Sequence, residues 1–158
     1  MKSILPLAVI CAVATACSVG VNKDLMTGLK VTNNGFSIGE AMLVDEQNQQ
    51  TKSNEVALNK TIAIVVEDIQ NYELKDGRAF PGLDLIVVDK ADTVVLDGRD
   101  ILASDEGYSP EDASTLRGTI TVGNPMKAGE TYHAKMKIWD KLKPENEIVV
   151  TVDLVVTP

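Results

Sequence analysis

The sequence predicts an all-β, antiparallel sandwich of about eight strands with one short helical turn. Three observations lead there. Apolar residues alternate strictly with polar ones near the C-terminus. Short β-branched runs recur along the chain with turn residues between most of them. The helix signal at 109–116 is short, and nothing else is long enough for the repeated crossovers of a parallel α/β sheet.

The alternation is clearest over residues 129–156. Tyr132, Ala134, Met136 and Ile138 alternate with His133, Lys135 and Lys137; Ile148, Val150, Val152, Leu154 and Val156 alternate with Val149, Thr151, Asp153 and Val155. Successive side chains of a strand point to opposite faces, so each run presents one apolar face and one wetter face. Lys-Leu-Lys-Pro-Glu-Asn-Glu between them is turn material, and the pair reads as an antiparallel hairpin. Apolar facing apolar requires a register that sets Met136 opposite Val150, Ala134 opposite Val152 and Tyr132 opposite Leu154. It also sets His133 opposite Asp153 on the outer face, while a two-residue slip brings Lys135 to Asp153. Either opposite-charge pair contributes roughly 0.2–1 kcal/mol.

The remaining elements follow in order. Residues 18–24 read as a short tether and 25–32 as a first strand. Asn33-Asn34-Gly35 is a turn signal, because Asn and Gly tolerate positive φ, and 36–44 reads as the returning strand. Residues 45–54 have no periodicity and read as an exposed loop. The run 61–67, Thr-Ile-Ala-Ile-Val-Val-Glu, is a buried strand. Asp76-Gly77 and Pro81-Gly82 make 71–82 a loop. Residues 83–89 and 93–97 form a second hairpin around Lys90-Ala91-Asp92. Ser109-Pro110-Glu111-Asp112 starts the helical turn: Ser caps, Pro suits the first helical position, and acids suit the positive end of the dipole. Residues 116–122 are a further strand with Gly118, Ile120 and Val122 on one face.

With 158 residues, 44% hydrophobic and 24% charged, the chain has the composition of one globular domain with its own core. A net charge of −8 works against nucleic-acid binding. Between residues 67 and 112 there are 13 acids and 4 bases, a net −9, while acids and bases cancel over the rest of the chain after residue 16. That segregation fits a solvated acidic face, a docking face for a basic partner, or a divalent-cation site. No apolar run reaches the ~20 residues of a membrane-spanning helix.

The N-terminus reads as a targeting segment: Met1-Lys2-Ser3 is a short basic region and 4–14 an apolar one. It closes on Ala14-Thr15-Ala16-Cys17, which resembles the lipobox of bacterial lipoproteins, with Ala14 where Leu is commoner. The resemblance implies a signal peptide over 1–16, lipid on Cys17 and a lipidated tether over 17–24. By analogy with Gram-negative lipoproteins, Ser18 after the cysteine implies the outer membrane, on either its periplasmic or its surface face. Cys11 leaves with the signal and no third cysteine exists, so neither a disulfide framework nor a cysteine metal site is open to the domain at 25–158.

Within that domain, Pro125-Met-Lys-Ala-Gly-Glu-Thr-Tyr132 leads into a strand ending Ile-Trp-Asp140. This resembles the tyrosine corner of immunoglobulin-like domains of bacterial surface proteins, in which a Tyr near the start of the penultimate strand bonds to backbone upstream. The resemblance covers 61–157. Ala134 stands where antibody-type domains have their second cysteine, and the single Trp lies late on its strand, so it implies a disulfide-free relative. It implies architecture and leaves function open.

Few residues carry chemistry. His133 is the only histidine, and its place on an outer strand face fits a partner for a carboxylate. Gly-x-Ser-x-Gly, His-Glu-x-x-His and phosphate-cradling glycine motifs are missing from the sequence, so the expectation is a protein that is not an enzyme. Phe80, Tyr108 and Trp139 are the aromatics a ligand-binding face would use. Asp97, Asp100, Asp105 and Glu106, with Gly98 and Gly107 for turns, are the acids a weak calcium site would use; no other cofactor is expected. The functional expectation is a lipid-anchored envelope protein that binds or scaffolds a protein or glycan partner, tied to the membrane through Cys17. Its alternatives are a carbohydrate-binding accessory lipoprotein and a calcium-dependent adhesion module.

Overall fold

The computed structural model describes residues 19–158; the signal segment and Cys17 lie outside the described residues. Ten strands and one helical turn are described. They are β1 (Val19–Lys23), β2 (Lys30–Asn34), β3 (Glu40–Val44), β4 (Glu55–Ala57), β5 (Thr61–Glu67), β6 (Pro81–Val88), β7 (Val94–Gly98), α1 (Pro110–Ala113), β8 (Leu116–Thr121), β9 (Thr131–Asp140) and β10 (Glu147–Thr157).

The β9–β10 hairpin is the spine. Its register places Met136 opposite Val150, Ala134 opposite Val152, Tyr132 opposite Leu154 and His133 opposite Asp153, as the alternation requires. β9 carries β6 and then β7 on its other side, all antiparallel. The far side of β10 is shared: its first half pairs antiparallel with β2, which carries β1, and its last residues pair parallel with β4. The second sheet is β3-β5-β8. The two form an antiparallel β-sandwich. The orders β3-β5-β8 and β6-β9-β10 match strands A-B-E and C-F-G of an immunoglobulin-type sandwich.

The core lies between the sheets. Ile62, Ile64, Val66, Leu116 and Ile120 of the smaller sheet pack with Leu83, Leu85, Val87, Met136, Ile138, Val150 and Val152 of the larger. The sheets pack closely at Gly118: a Cβ there would lie 2.8 Å from the Met136 sulfur and 3.2 Å from a Leu85 methyl. β5 is buried on both faces, because Ala63 and Val65 join Val44 and Met42 on the outside of the smaller sheet. The tyrosine corner is present, with the Lys127 N–H donating to the Tyr132 hydroxyl at 2.9 Å. At α1 the Ser109 hydroxyl accepts from the Asp112 N–H at 3.0 Å, the expected N-cap.

The N-terminal third departs from the sequence reading in four places. Residues 19–23, expected within a tether, form β1 and pair with β2 over five residues. Residues 25–29, expected to open a strand, form a turn held by Asp24, with the strand proper starting at Lys30. The 25–32/36–44 hairpin does not form: Gly35 turns the chain at φ +72°, but Phe36 drops into the core and β3 pairs with β5 in the other sheet. Alternation tells which face of a strand is apolar; it does not tell which sheet will cover it. The loop 45–54 returns to β3 through a Val44–Gln50 bridge and leads into the three-residue β4, too short to register as a periodic run.

Candidate functional site

Strand direction divides the sandwich into two ends. The end that holds the start of β1 also holds 35–39, 68–80, 99–109 and 141–146, and so collects most of the acidic middle third. Asp140 ties this end together. Its buried carboxylate accepts from the Glu73 N–H at 2.6 Å and the Leu142 N–H at 2.9 Å. Next to it, the Asn146 amide donates to the Asn71 carbonyl and the Asn34 amide to the Glu145 carbonyl. Tyr72 donates to the Ala113 carbonyl at 3.1 Å, and burial, then the nearby Asp140 charge, pushes its phenol well above the usual range. The phenol stays a neutral donor at any physiological pH.

Of the three aromatics expected on a ligand face, Phe80 and Trp139 lie at the start of β6, and Tyr108 is bridged to the residue before Phe80. Trp139 lies half-buried on the outer face of the larger sheet, its indole resting on the bare backbone of Gly82, where any Cβ would overlap the ring. Phe80 packs on Gly107 in the same way; a Cβ there would come 2.8 Å from Cζ. Tyr108 is bridged to Ala79, which sets its side chain on the face of Ala79 and away from that of Phe80 and Gly107, and its hydroxyl donates to the Leu102 carbonyl. They do not form a stacked platform, since the one aromatic ring pair among the described residues is Phe36 with Tyr72.

The four acids expected to hold calcium are not gathered in one place. Asp97 accepts from Arg99 at 2.7 Å and Asp100 pairs with Lys141 at 2.8 Å, while Arg99 also reaches toward Asp84. No group of three His, Cys, Asp or Glu side chains in metal-binding geometry exists among the described residues, Asp105 and Glu106 included. Calcium at these positions would require Arg99 and Lys141 to withdraw. The ion pairs are largely solvated and each contributes about 0–1 kcal/mol.

On the outer face of β9, His133 Nδ1 lies 2.8 Å from Asp153 and Lys137 pairs with Glu147 at 2.8 Å. The histidine is thus committed to an exposed cross-strand pair. A groove of about 830 Å³ opens between the β1–β2 hairpin and β3, lined by Asn22, Asn33, Ile38, Glu40, Gln50 and Thr51 among others. Amides, hydroxyls and the charged Asp24, Glu40 and Lys52 equip it for hydrogen bonding beside aliphatic carbons. A smaller apolar hollow of about 330 Å³ sits by Ile69, Tyr72, Leu74 and Pro110.

Sequence reasoning missed three features of this surface. Asp140 is one, its only signal being an acid at the end of an apolar-faced strand. Gly82 as the seat of Trp139 is another, marked only by glycine at the start of a β-branched run. The third is the exposed Leu25-Met26 pair within a polar stretch. No family model and no curated protein sequence matches this chain.

Proposed function

We propose that this protein is a lipid-anchored component of the cell envelope, held at the outer membrane through Cys17, whose sandwich binds or scaffolds an envelope partner and catalyses no reaction. The observation that carries this reading is Ala14-Thr15-Ala16-Cys17, closing an apolar segment two residues before the first strand. The committed His133–Asp153 pair and the ion-paired acids at Asp97 and Asp100 support a binding role over acid–base chemistry. Fractionation tests it: the protein should partition with membranes and its N-terminal peptide should carry acyl mass on Cys17. Identical fractionation of Cys17→Ala, with no lipid mass, would sink the anchor.

A carbohydrate ligand is the second reading, favoured by the partly exposed Trp139 and Phe80 at the start of β6, with Tyr108 on the adjoining loop. Trp139 is the only tryptophan, so its fluorescence reports this face alone. Glycan titrations that quench it, and that lose the effect in Phe80→Ala, would favour sugar over a protein partner.

A further inference from the structure

The β1–β2 hairpin differs from the rest of the surface in three independent ways. It carries the three most exposed large apolar side chains among the described residues: Leu25 at 87%, Val21 at 77% and Met26 at 65%, the next being 49%. It is the hydrophobic segment outside the acidic region: residues 19–34 hold Lys23 and Lys30 against Asp24, a net +1, while 84–106 holds seven acids against two bases. And it is the element to which Cys17 is joined. Only Ser18 separates Cys17 from Val19, and two residue steps of chain reach at most about 7 Å.

The sheet order converts these facts into an orientation. β1 is the free edge at one side of the larger sheet and β7 the edge at the other, with five strand spacings between them. At ~4.8 Å per spacing the acidic β6–β7 side stands roughly 24 Å from β1, well beyond a Debye length of ~8 Å at physiological salt. A domain tethered next to Val19 and lying along its β1 edge brings Lys23, Lys30 and the apolar tip, at the end opposite the acidic loops, to the bilayer and holds the acidic β7 edge away from it.

We propose that the β1–β2 hairpin lies on the membrane surface as an interfacial ribbon. The unpaired N–H and C=O groups along the free edge of β1 are satisfied by headgroups and water, since they have no place in the hydrocarbon. Leu25 and Met26 at the hairpin tip enter the headgroup–acyl boundary, and Lys23 and Lys30 meet anionic headgroups. β1 is built for this placement: Gly20 and Asn22 lie on the face of Asn33 and Val31, and the exposed Val21 lies on the other face, level with Thr32. The domain is then fixed against the bilayer and presents β7, Phe80 and the acidic loops to a partner. The proposal rests on lipidation at Cys17, as proposed above.

Site-specific labelling of the lipidated, full-length mature protein tests it. Leu25→Cys and Val94→Cys each supply one free thiol, Cys17 being consumed by lipid, and each is labelled with the same environment-sensitive fluorophore. The proteins are reconstituted into phosphatidylethanolamine–phosphatidylglycerol vesicles containing quencher lipids, and acyl mass on the N-terminal peptide is measured on the same samples. The expected result is a blue-shifted, lipid-quenched label at 25 and a water-exposed, unquenched label at 94. Acyl mass present with position 25 as aqueous as position 94, with both equally quenched, or with 25 shielded only when a second protein is added, overturns the membrane contact and leaves the anchor standing. Absence of acyl mass overturns the anchor itself.

Discussion

Two hairpins of the larger sheet share a ladder partner in β10 or its neighbour and differ in everything else. In β9–β10 each inward residue from Tyr132 to Ile138 and from Ile148 to Val156 is buried, and on the outward face His133 and Lys137 pair across the strands with Asp153 and Glu147. In β1–β2 the inward side contributes Leu29 and Val31 to the core, but β1 itself offers only Gly20 and Asn22. At Gly20 the Asn33 side chain, donating to the Phe36 carbonyl at 2.9 Å, occupies the space a Cβ would take. The central hairpin spends both faces on stability. The peripheral one is held by its ladder and its turn, which leaves one face and one edge free for contact with something else.

The largest effect should come from breaking the central hairpin. Met136→Asp puts an unpaired charge between the sheets and should cost several kcal/mol, on the order of 3–5, enough to threaten folding. Lys137→Asp, one residue along on the outer face, loses only an exposed pair with Glu147 and should cost about 1 kcal/mol or less. Equal midpoint shifts in urea would show that the faces are assigned wrongly. Gly118→Val comes next. The Met136 sulfur and a Leu85 methyl stand within 3.2 Å of any new Cβ, so overpacking should cost roughly 1–3 kcal/mol. Met136→Ala in the same chain should recover part of the loss, a non-additivity readable in a double-mutant cycle. Tyr132→Phe follows, at about 1–2 kcal/mol, because it leaves the Lys127 N–H without its acceptor. On the peripheral hairpin, Leu25→Ser should leave stability within ~0.5 kcal/mol. A larger loss in a urea melt would mean that this side chain has a structural role and that the contrast between the hairpins is overdrawn.

The same contrast explains what the sequence made legible. The register of β9 and β10 follows from alternation because a one-residue slip would turn Met136, Ala134 and Tyr132 to solvent. The helix start at Ser109 and the corner at Tyr132 were readable because both depend on local chemistry. β1 was hidden because Gly20 and Asn22 take the inward positions, which reads as tether. The crossing of Phe36 to the second sheet was hidden because Asn-Gly specifies a turn without specifying where the chain goes afterwards. At the candidate site the identities of Phe80, Tyr108 and Trp139 were visible and their placement was not, since it depends on an Ala79–Tyr108 bridge and on Gly82 and Gly107 seating the Trp139 and Phe80 rings. Nor was it visible that Lys141, 41 positions away from Asp100 in the chain, would pair with it.

The smallest expected effect concerns the turn that holds the peripheral hairpin closed. The Asp24 carboxylate accepts from the Thr27 hydroxyl at 2.6 Å and from the Met26 N–H at 2.8 Å, while Gly28, at φ +73°, closes the turn by donating to the Asp24 carbonyl. The Thr27 hydroxyl bond, then the Met26 bond, holds this carboxyl below its ordinary value. A group whose folded pKa is depressed stabilises while it is ionised, so the contribution is in place at neutral pH. It disappears as pH falls through the lowered folded value, below the usual ~3.9 for aspartate. Because the group is solvated, the loss should be local: the Met26 and Thr27 amides should gain exchange with solvent, while those of Val150 and Val152 in the central hairpin stay protected. Acid affects many carboxylates at once, so the comparison that isolates this one is wild type against Asp24→Asn, followed by amide exchange from neutral pH to about pH 3. The substitution should give the turn one fixed level of protection across that range. If the acid step at Met26 survives in Asp24→Asn, some other carboxylate holds the tip, and the hairpin is tied to the body of the sandwich more firmly than its free edge implies.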